Sequence, residues 1–415
     1  YLSGQERAFL SRLINGTLER KIELDYIIDR FNRTGKRLKP VVAEILRLSV
    51  YQLLYMDAVP DRAAVNEAVK LAGIKGLKSL SGFINGILRT IAREKNTLRY
   101  PDKQTDYKAY LSVRYSIPEH IITLLSGQYD EETLEEIFSA QLGARPLYIR
   151  TNESRVSPRE LKRLLSEDGI EVKESPLSGV FQVLTPERIS DNSSFQKGLY
   201  YISDISSSLA VSLAGIRQGD RVLDVCAAPG GKTCHVLEIL KGTGEVVSRD
   251  ISGDKTALIR ENIKRLNLTG NITVEEADAR VFAPELEERF DVLIADLPCS
   301  GLGVIGRKND INYRLTPDSF PALSALQREI LGIVYRYLKV GGVLLYCTCT
   351  INRTENEDNR SWILQNLPFE PVPLSQEVPE ELYTETAEEG YLKLLPGKTG
   401  TDGFFISKYR RTAKE

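Results

Sequence analysis

Three short words in this sequence carry residue types suited to chemistry. One is Asp296-Leu297-Pro298-Cys299-Ser300-Gly301, after the strand-like run Asp291–Ala295. Another is Tyr346-Cys347-Thr348-Cys349-Thr350, at the end of the run Val343–Thr348. A cysteine just past a strand end can act as a thiolate nucleophile. The third word, Val222–Thr233, reads V-L-D-V-C-A-A-P-G-G-K-T. It gives a buried β-branched strand, a turn of small residues and a helix start, the geometry in which backbone N–H groups face a nucleotide-like ligand. Small side chains suit that turn because a Cβ would block close approach.

The ligand follows from what the third word lacks. A phosphate-cradling P-loop needs glycine where Cys226 stands, and the dinucleotide spacing G-x-G-x-x-G is absent. A nucleoside-type cofactor with little phosphate remains. Asp250 ends the next strand, Val246–Asp250, 19 residues beyond Gly231, where a carboxylate accepts ribose hydroxyls. S-adenosylmethionine fits; on this stretch alone, a Rossmann-like turn for another ligand stays open.

Two thiols beside such a cofactor suggest pyrimidine methylation. A pyrimidine C5 is a poor nucleophile. A thiolate adding to C6 makes it enamine-like, able to attack a methyl sulfonium, and a second thiol can assist release of the adduct. Cys299 and Cys349 suit that chemistry, whereas Cys226, Cys234 and Cys347 read as packing residues. The carboxyl group of Asp296 can hydrogen-bond the base edge and stabilise charge building on N3. Lys232, Arg307 and Lys308 are candidates for the positive charge that favours a thiolate. No metal is expected, since the thiols lack a fourth ligand spaced for zinc. His120 and His235 are the only histidines, which argues against a histidine triad; His235 reads as a packing or surface residue.

The elements that position these words come from the wider pattern. A chain of 415 residues with 42% hydrophobic and 27% charged residues is an ordinary multidomain globular protein. Its net charge of −2 gives no global sign of nucleic-acid binding. No apolar run is long enough to span a membrane, and no signal peptide is visible. Five cysteines form no disulfide framework, so a cytoplasmic location is expected. The chain is also expected to be a monomer. Residues 1–99 carry helical stripes such as Ile84, Ile87, Leu88 and Ile91. There Arg47, Arg62, Arg89 and Arg93 read equally as phosphate contacts or as a solvated face. Residues 100–143 read as a connector with helical stretches, and 144–198 as a small α/β module whose Ser157-Pro158-Arg159-Glu160 opens a helix. From 199 to 415 strands alternate with helices, the mark of a mostly parallel sheet. Acidic residues close several of those strands, at the edge where open α/β sheets bind ligands. Gly341 and Gly342 are expected to stop a long helix, and the segment around Phe404–Ile406 to close the sheet.

The words R-L-S-V-Y-Q-L-L-Y, A-V-N-E-A-V-K-L-A and F-I-N-G-I-L-R-T-I, between Leu10 and Arg93, resemble the NusB-like RNA-binding domain. Family members begin one helix earlier, so a trimmed N-terminus is expected. The α/β module resembles the RNA-recognition-like insertion before certain methyltransferase domains. C-A-A-P-G-G-K, D-x-P-C-S-G and T-C-T followed by E-N-E resemble RNA 5-methylcytosine methyltransferases. With all three segments, the chain resembles the bacterial Sun/Fmu-type enzymes that methylate cytosine C5 in small-subunit ribosomal RNA. The resemblance implies an all-α bundle, a small α/β module and a Rossmann-like methyltransferase domain. It implies Cys349 as nucleophile and Cys299 as the release cysteine. Cys226, Ala227, Ala228, Pro229, Gly230, Gly231, Lys232, Asp250, Asp278 and Asp296 would line the S-adenosylmethionine site. The sequence departs from the family at Gly306-Arg307-Lys308-Asn309-Asp310, where an arginine pair and His-Pro-Asp are usual, and at Ser248-Arg249. A methyltransferase of proteins or small molecules would not need both cysteine words. An RNA-binding assembly factor would not need an intact glycine turn.

Overall fold

The computed structural model describes residues 2–143, 145–189 and 192–413. The chain forms two compact units, Tyr1–Leu142 with Ile305–Arg314, and Gly143–Val304 with Leu315–Glu415.

The first unit is helical. Helices Gly4–Glu19, Lys21–Phe31, Pro40–Tyr55, Asp61–Ile74 and Ser81–Glu94 bury the stripes read from the sequence, with Leu24, Leu46, Val50, Ala68, Ile84 and Leu88 in the core. A capping box opens the first helix: the Glu6 N–H donates to Ser3 Oγ, and the Ser3 N–H to the Glu6 carboxylate. The expected connector carries helices Tyr107–Tyr115, Glu119–Ser126 and Glu131–Leu142, which bury Leu111, Ile121, Leu125, Ile137 and Phe138. Residues 305–314 join this unit. Asn312 donates to the Ser116 carbonyl at 3.2 Å, Asn309 to the Asn15 carbonyl at 3.2 Å, and the Lys21 ammonium lies 4.9 Å over the Tyr313 ring.

The second unit holds two sheets. Strands β1 (Leu147–Thr151), β2 (Val172–Glu174), β3 (Val180–Val183) and β4 (Tyr200–Ile202) form an antiparallel sheet in the order β2-β3-β1-β4. Helix Pro158–Glu167 accompanies it, opened by Ser157 as read from the sequence. The larger sheet comprises β5 (Arg221–Asp224), β6 (Glu245–Asp250), β7 (Ile272–Glu276), β8 (Phe290–Asp296), β9 (Leu338–Thr348), β10 (Phe369–Pro371), β11 (Tyr391–Leu394) and β12 (Phe404–Arg411). Its order is β10-β12-β9-β8-β5-β6-β7, with β11 also on β12. The five strands β5 to β9 are mutually parallel, and β12 runs antiparallel to β9.

Two expectations are corrected. Strand β12 does not form the sheet's edge, because β10 and β11 pair on its far side. Gly341 and Gly342 do not stop a helix: the helix Ser319–Val334 and one further turn end at Tyr337, and both glycines lie inside β9. The register against β8 shifts between Leu338↔Phe290 and Val343↔Val292, so the glycines take up a bulge. Gly341 has φ +83°, and a Cβ on Gly342 would sit 2.9 Å from the Lys339 carbonyl oxygen.

One core spans both sheets, joining Tyr148, Val180 and Tyr201 to Leu237, Val246 and Leu266. Asn152 donates to the carbonyls of Gly198 and Leu266, both at 2.8 Å. A looser polar contact lies beside it: buried Arg150 of β1 faces buried Glu238 of helix Gly231–Leu240 at 3.7 Å. Burial pushes the Glu238 carboxyl up to about 7, only partly offset by Arg150. Between its ordinary value of 4.5 and about 7, the folded state holds a proton that the unfolded chain has lost, so stability falls as pH rises. Glu238→Gln removes that term. Its melting temperature relative to the parent should climb from pH 5 to pH 8; a pH-independent difference would refute the assignment.

Candidate active site

The three words converge where the sheet's parallel strands end. Across β6, β5, β8 and β9 those ends carry Asp250, Asp224, Asp296 and the Cys347–Cys349 word. Register places Asp296 beside Cys347, and the Leu297 N–H donates to the Cys347 carbonyl at 3.2 Å.

The turn after β5 is fixed by its glycines and by Asp250. Gly230 has φ +101° and opens helix Gly231–Leu240; a Cβ there would meet the Ile259 backbone at 3.2 Å. Beside Gly231 nothing lies within 4 Å of a Cβ, so the turn faces open space there. The buried Asp250 carboxylate accepts the N–H groups of Ala228 at 3.0 Å and Ile251 at 2.8 Å, with the Lys255 ammonium at 3.1 Å. It therefore holds the turn's shape. Asp278 is engaged by Arg280, whose hydrogen bonds hold its carboxyl below the usual range.

Sequence reasoning missed Asp224. Its Oδ2 accepts from the Thr233 hydroxyl at 2.9 Å, while Oδ1 is buried without a partner. Burial pushes this carboxyl up to about 7, against the lowering effects of Lys232 and Thr233. The available signal was its place at a strand's C-terminal end, shared with Asp250 and Asp296.

Lys232 ties the turn to the first cysteine word through an ion pair with Asp296. Burial disfavours its charge, but Asp296, the Cys347 thiol and Asp224 outweigh burial and hold its pKa above the ordinary value. Arg307 and Lys308, the other candidate charges, belong to the first unit.

The Cys299 and Cys349 sulfurs lie 3.3 Å apart. The hydrogen bond to Cys349, then burial, then the Cys349, Glu355 and Asp296 charges push the Cys299 thiol well above its ordinary value. Burial does the same to Cys226 and Cys234, both pushed up to about 12, and to Cys347. Cys234, Cys347 and His235 are buried, as packing residues are. Among the described residues no group of three or more His, Cys, Asp or Glu is arranged to hold a metal ion.

A buried polar network braces the two cysteine loops. Glu355 accepts the Ser300 N–H at 2.8 Å and the Ser300 hydroxyl, and its oxygens also take Asn352 and Gln327, both at 3.1 Å. The Ser300 and Thr350 hydroxyls meet at 2.8 Å. Asn356 donates to the Thr350 carbonyl and accepts from Thr348. Gln327 also donates to the Pro298 carbonyl at 2.9 Å. Every side chain of this network is buried, and the hydrogen bonds among them fix loop geometry better than apolar contacts would. Behind the loops two glycines cross: the Gly403 N–H donates to the Gly303 carbonyl at 2.9 Å, and a Cβ on Gly303 would sit 2.0 Å from the Gly403 oxygen.

A doubly wound sheet with a glycine turn after β5 and acidic strand ends defines a Rossmann-like methyltransferase domain. Residues 211–410 match the family described as 16S rRNA methyltransferase RsmB/F, 1–93 the NusB family, and 117–184 the RsmF/B-like ferredoxin-like domain. The chain is 38% identical to the "Probable ribosomal RNA small subunit methyltransferase B" of Bacillus subtilis strain 168, over 99% of this chain and 92% of that protein. The chain therefore belongs to the ribosomal RNA small subunit methyltransferase B family. The solved structure of PH0851 is similar, with a TM-score of 0.82 at 25% identity, over 99% of this chain and 91% of that one. So is a methyltransferase homolog from Pyrococcus horikoshii, with a TM-score of 0.62 at 26% identity, over 72% and 97%. Among the described residues no helix is long and apolar enough to cross a membrane.

Proposed function

We propose that the chain methylates C5 of a cytosine in small-subunit ribosomal RNA, with Cys349 bonding transiently to C6. The observation that carries this reading is the Cys299–Cys349 pair, 3.3 Å apart and joined through Asp296 and Lys232 to the glycine turn. S-adenosylmethionine fits that turn: open space faces Gly231, and the buried Oδ1 of Asp224 is a polar atom left without a hydrogen-bond partner. Cys226 to Lys232, Asp250, Asp278 and Asp296 would hold it. When bound, it supplies the methyl group as an electrophilic sulfonium.

The chain's own residues supply the rest. The Cys349 thiolate adds to C6 and leaves C5 electron-rich. Asp296 hydrogen-bonds the base edge and so orients the ring, while the Lys232 ammonium paired with it supplies the positive charge beside the site. After transfer a water molecule takes up the C5 proton, the electron pair of that C–H bond reforms the C5–C6 double bond, and the Cys349 sulfur leaves as a thiolate. The Cys299 thiol, kept protonated, hydrogen-bonds to that departing sulfur. A cytosine must leave its stack to reach this site, at a cost of roughly a few kcal/mol. Incubation with labelled S-adenosylmethionine and small-subunit ribosomal RNA, followed by digestion to nucleosides, tests the reading. Label is expected in 5-methylcytidine; label confined to other nucleosides would overturn it.

A further inference from the structure

The chain's net charge of −2 hides one dense local excess. Residues 30–39 contain Arg30, Arg33, Lys36, Arg37 and Lys39 and no carboxylate; Asp29 is the nearest in sequence. All five cations are exposed. Arg99, also exposed, is drawn beside them, because its carbonyl accepts from Arg30 at 3.1 Å and from the Tyr26 hydroxyl at 3.3 Å. Among the described residues Arg33, Lys36, Arg37, Lys39 and Arg99 form no ion pair. The contrast lies nearby: Arg47, a candidate phosphate contact by sequence, is clamped by Asp25 at 2.6 and 2.8 Å and by Glu44 at 2.5 Å.

The loop is also shaped in advance. The Asn32 side chain donates to the Lys36 carbonyl at 2.9 Å and accepts from the Thr34 hydroxyl at 2.6 Å, and Gly35 turns the chain at φ +63°. Phe31 and Leu38 pack on the helical core at either end. Repelling charges held together without counterions cost stability unless a polyanion meets them. No aromatic side chain stands among residues 32–39 to stack a base, so the contact suits phosphates rather than base edges.

We infer that loop 30–39, with Arg99, is a sequence-blind docking surface for the phosphate backbone of the ribosomal RNA substrate. The inference rests on the ribosomal RNA reading above. The test compares the full chain with a variant carrying Arg33→Gln, Lys36→Gln, Arg37→Gln and Lys39→Gln. Binding to a small-subunit ribosomal RNA transcript is measured from 50 to 300 mM KCl, and to vesicles of anionic phospholipid in parallel. Losing four phosphate contacts should flatten the slope of log affinity against log salt by about 3 and weaken binding at 100 mM KCl at least about tenfold. S-adenosylmethionine affinity should be unchanged, which reports an intact fold. Equal affinity and slope in both proteins would overturn the loop assignment and leave the ribosomal RNA reading standing. Charge-dependent binding to vesicles with unaltered RNA binding would overturn it in favour of a membrane. A parent protein that does not bind the transcript would overturn both readings.

Discussion

Cys349→Ala should lower methyl transfer to RNA by at least about 10⁴-fold in kcat, the order lost when a covalent nucleophile is removed. The reason is specific to the substrate. Without a sulfur at C6 the ring never becomes electron-rich at C5, and no other residue of the site can substitute. Cys347 sits two residues away but is fully buried beside Asp296, with its thiol pushed up by burial. The turn is held by Asp250 through the Ala228 and Ile251 N–H groups, which this variant leaves in place, so S-adenosylmethionine affinity should stay within about twofold of the parent. Label transfer and calorimetric binding check the two halves separately. Retained turnover would remove the covalent step from the scheme.

The second large effect is opposite in kind. Cys299→Ala should leave attack intact and impair release, so that protein–RNA adduct accumulates. Turnover should fall by roughly 10²–10⁴, the usual contribution of a positioned proton donor. The adduct should appear as a retarded band in denaturing gels and be absent from Cys349→Ala and from the double variant. A retarded band from Cys349→Ala instead would exchange the two roles. Both variants keep the Glu355 network, which binds the loops through Ser300, Thr350 and Asn352 rather than through sulfur.

The parts legible in the sequence are those set by local pattern. Val222, Leu223, Val225, Val246 and Val247 are apolar because parallel strands are buried on both faces, and the runs Val222–Val225 and Val246–Asp250 map to β5 and β6 within a residue or so. The cysteine words stood out because they sit at strand ends. What stayed hidden depends on contacts distant in sequence. Glu355, Asn356 and Gln327 look like loop and helix-surface residues until Ser300 and Pro298 are brought against them. Gly341 and Gly342 look like a helix stop, yet the β8 register makes them a bulge. Residues 305–314 give no local sign that they join the N-terminal helices, since that depends on Ser116 and Lys21. Arg47 could not be told from an RNA contact without Asp25 beside it.

Strand β12 has a consequence for how this protein is made. It pairs with β9 from Val343 to Thr348, and Gly403 just before it seats against Gly303. Translation delivers every reactive side chain first and this brace afterwards. A nascent chain holding residues 1–400 thus owns both sulfurs and the Glu355 network but leaves this side of β9 unpaired. The sheet beside β9 is therefore completed only once residues 404–411 have left the ribosome.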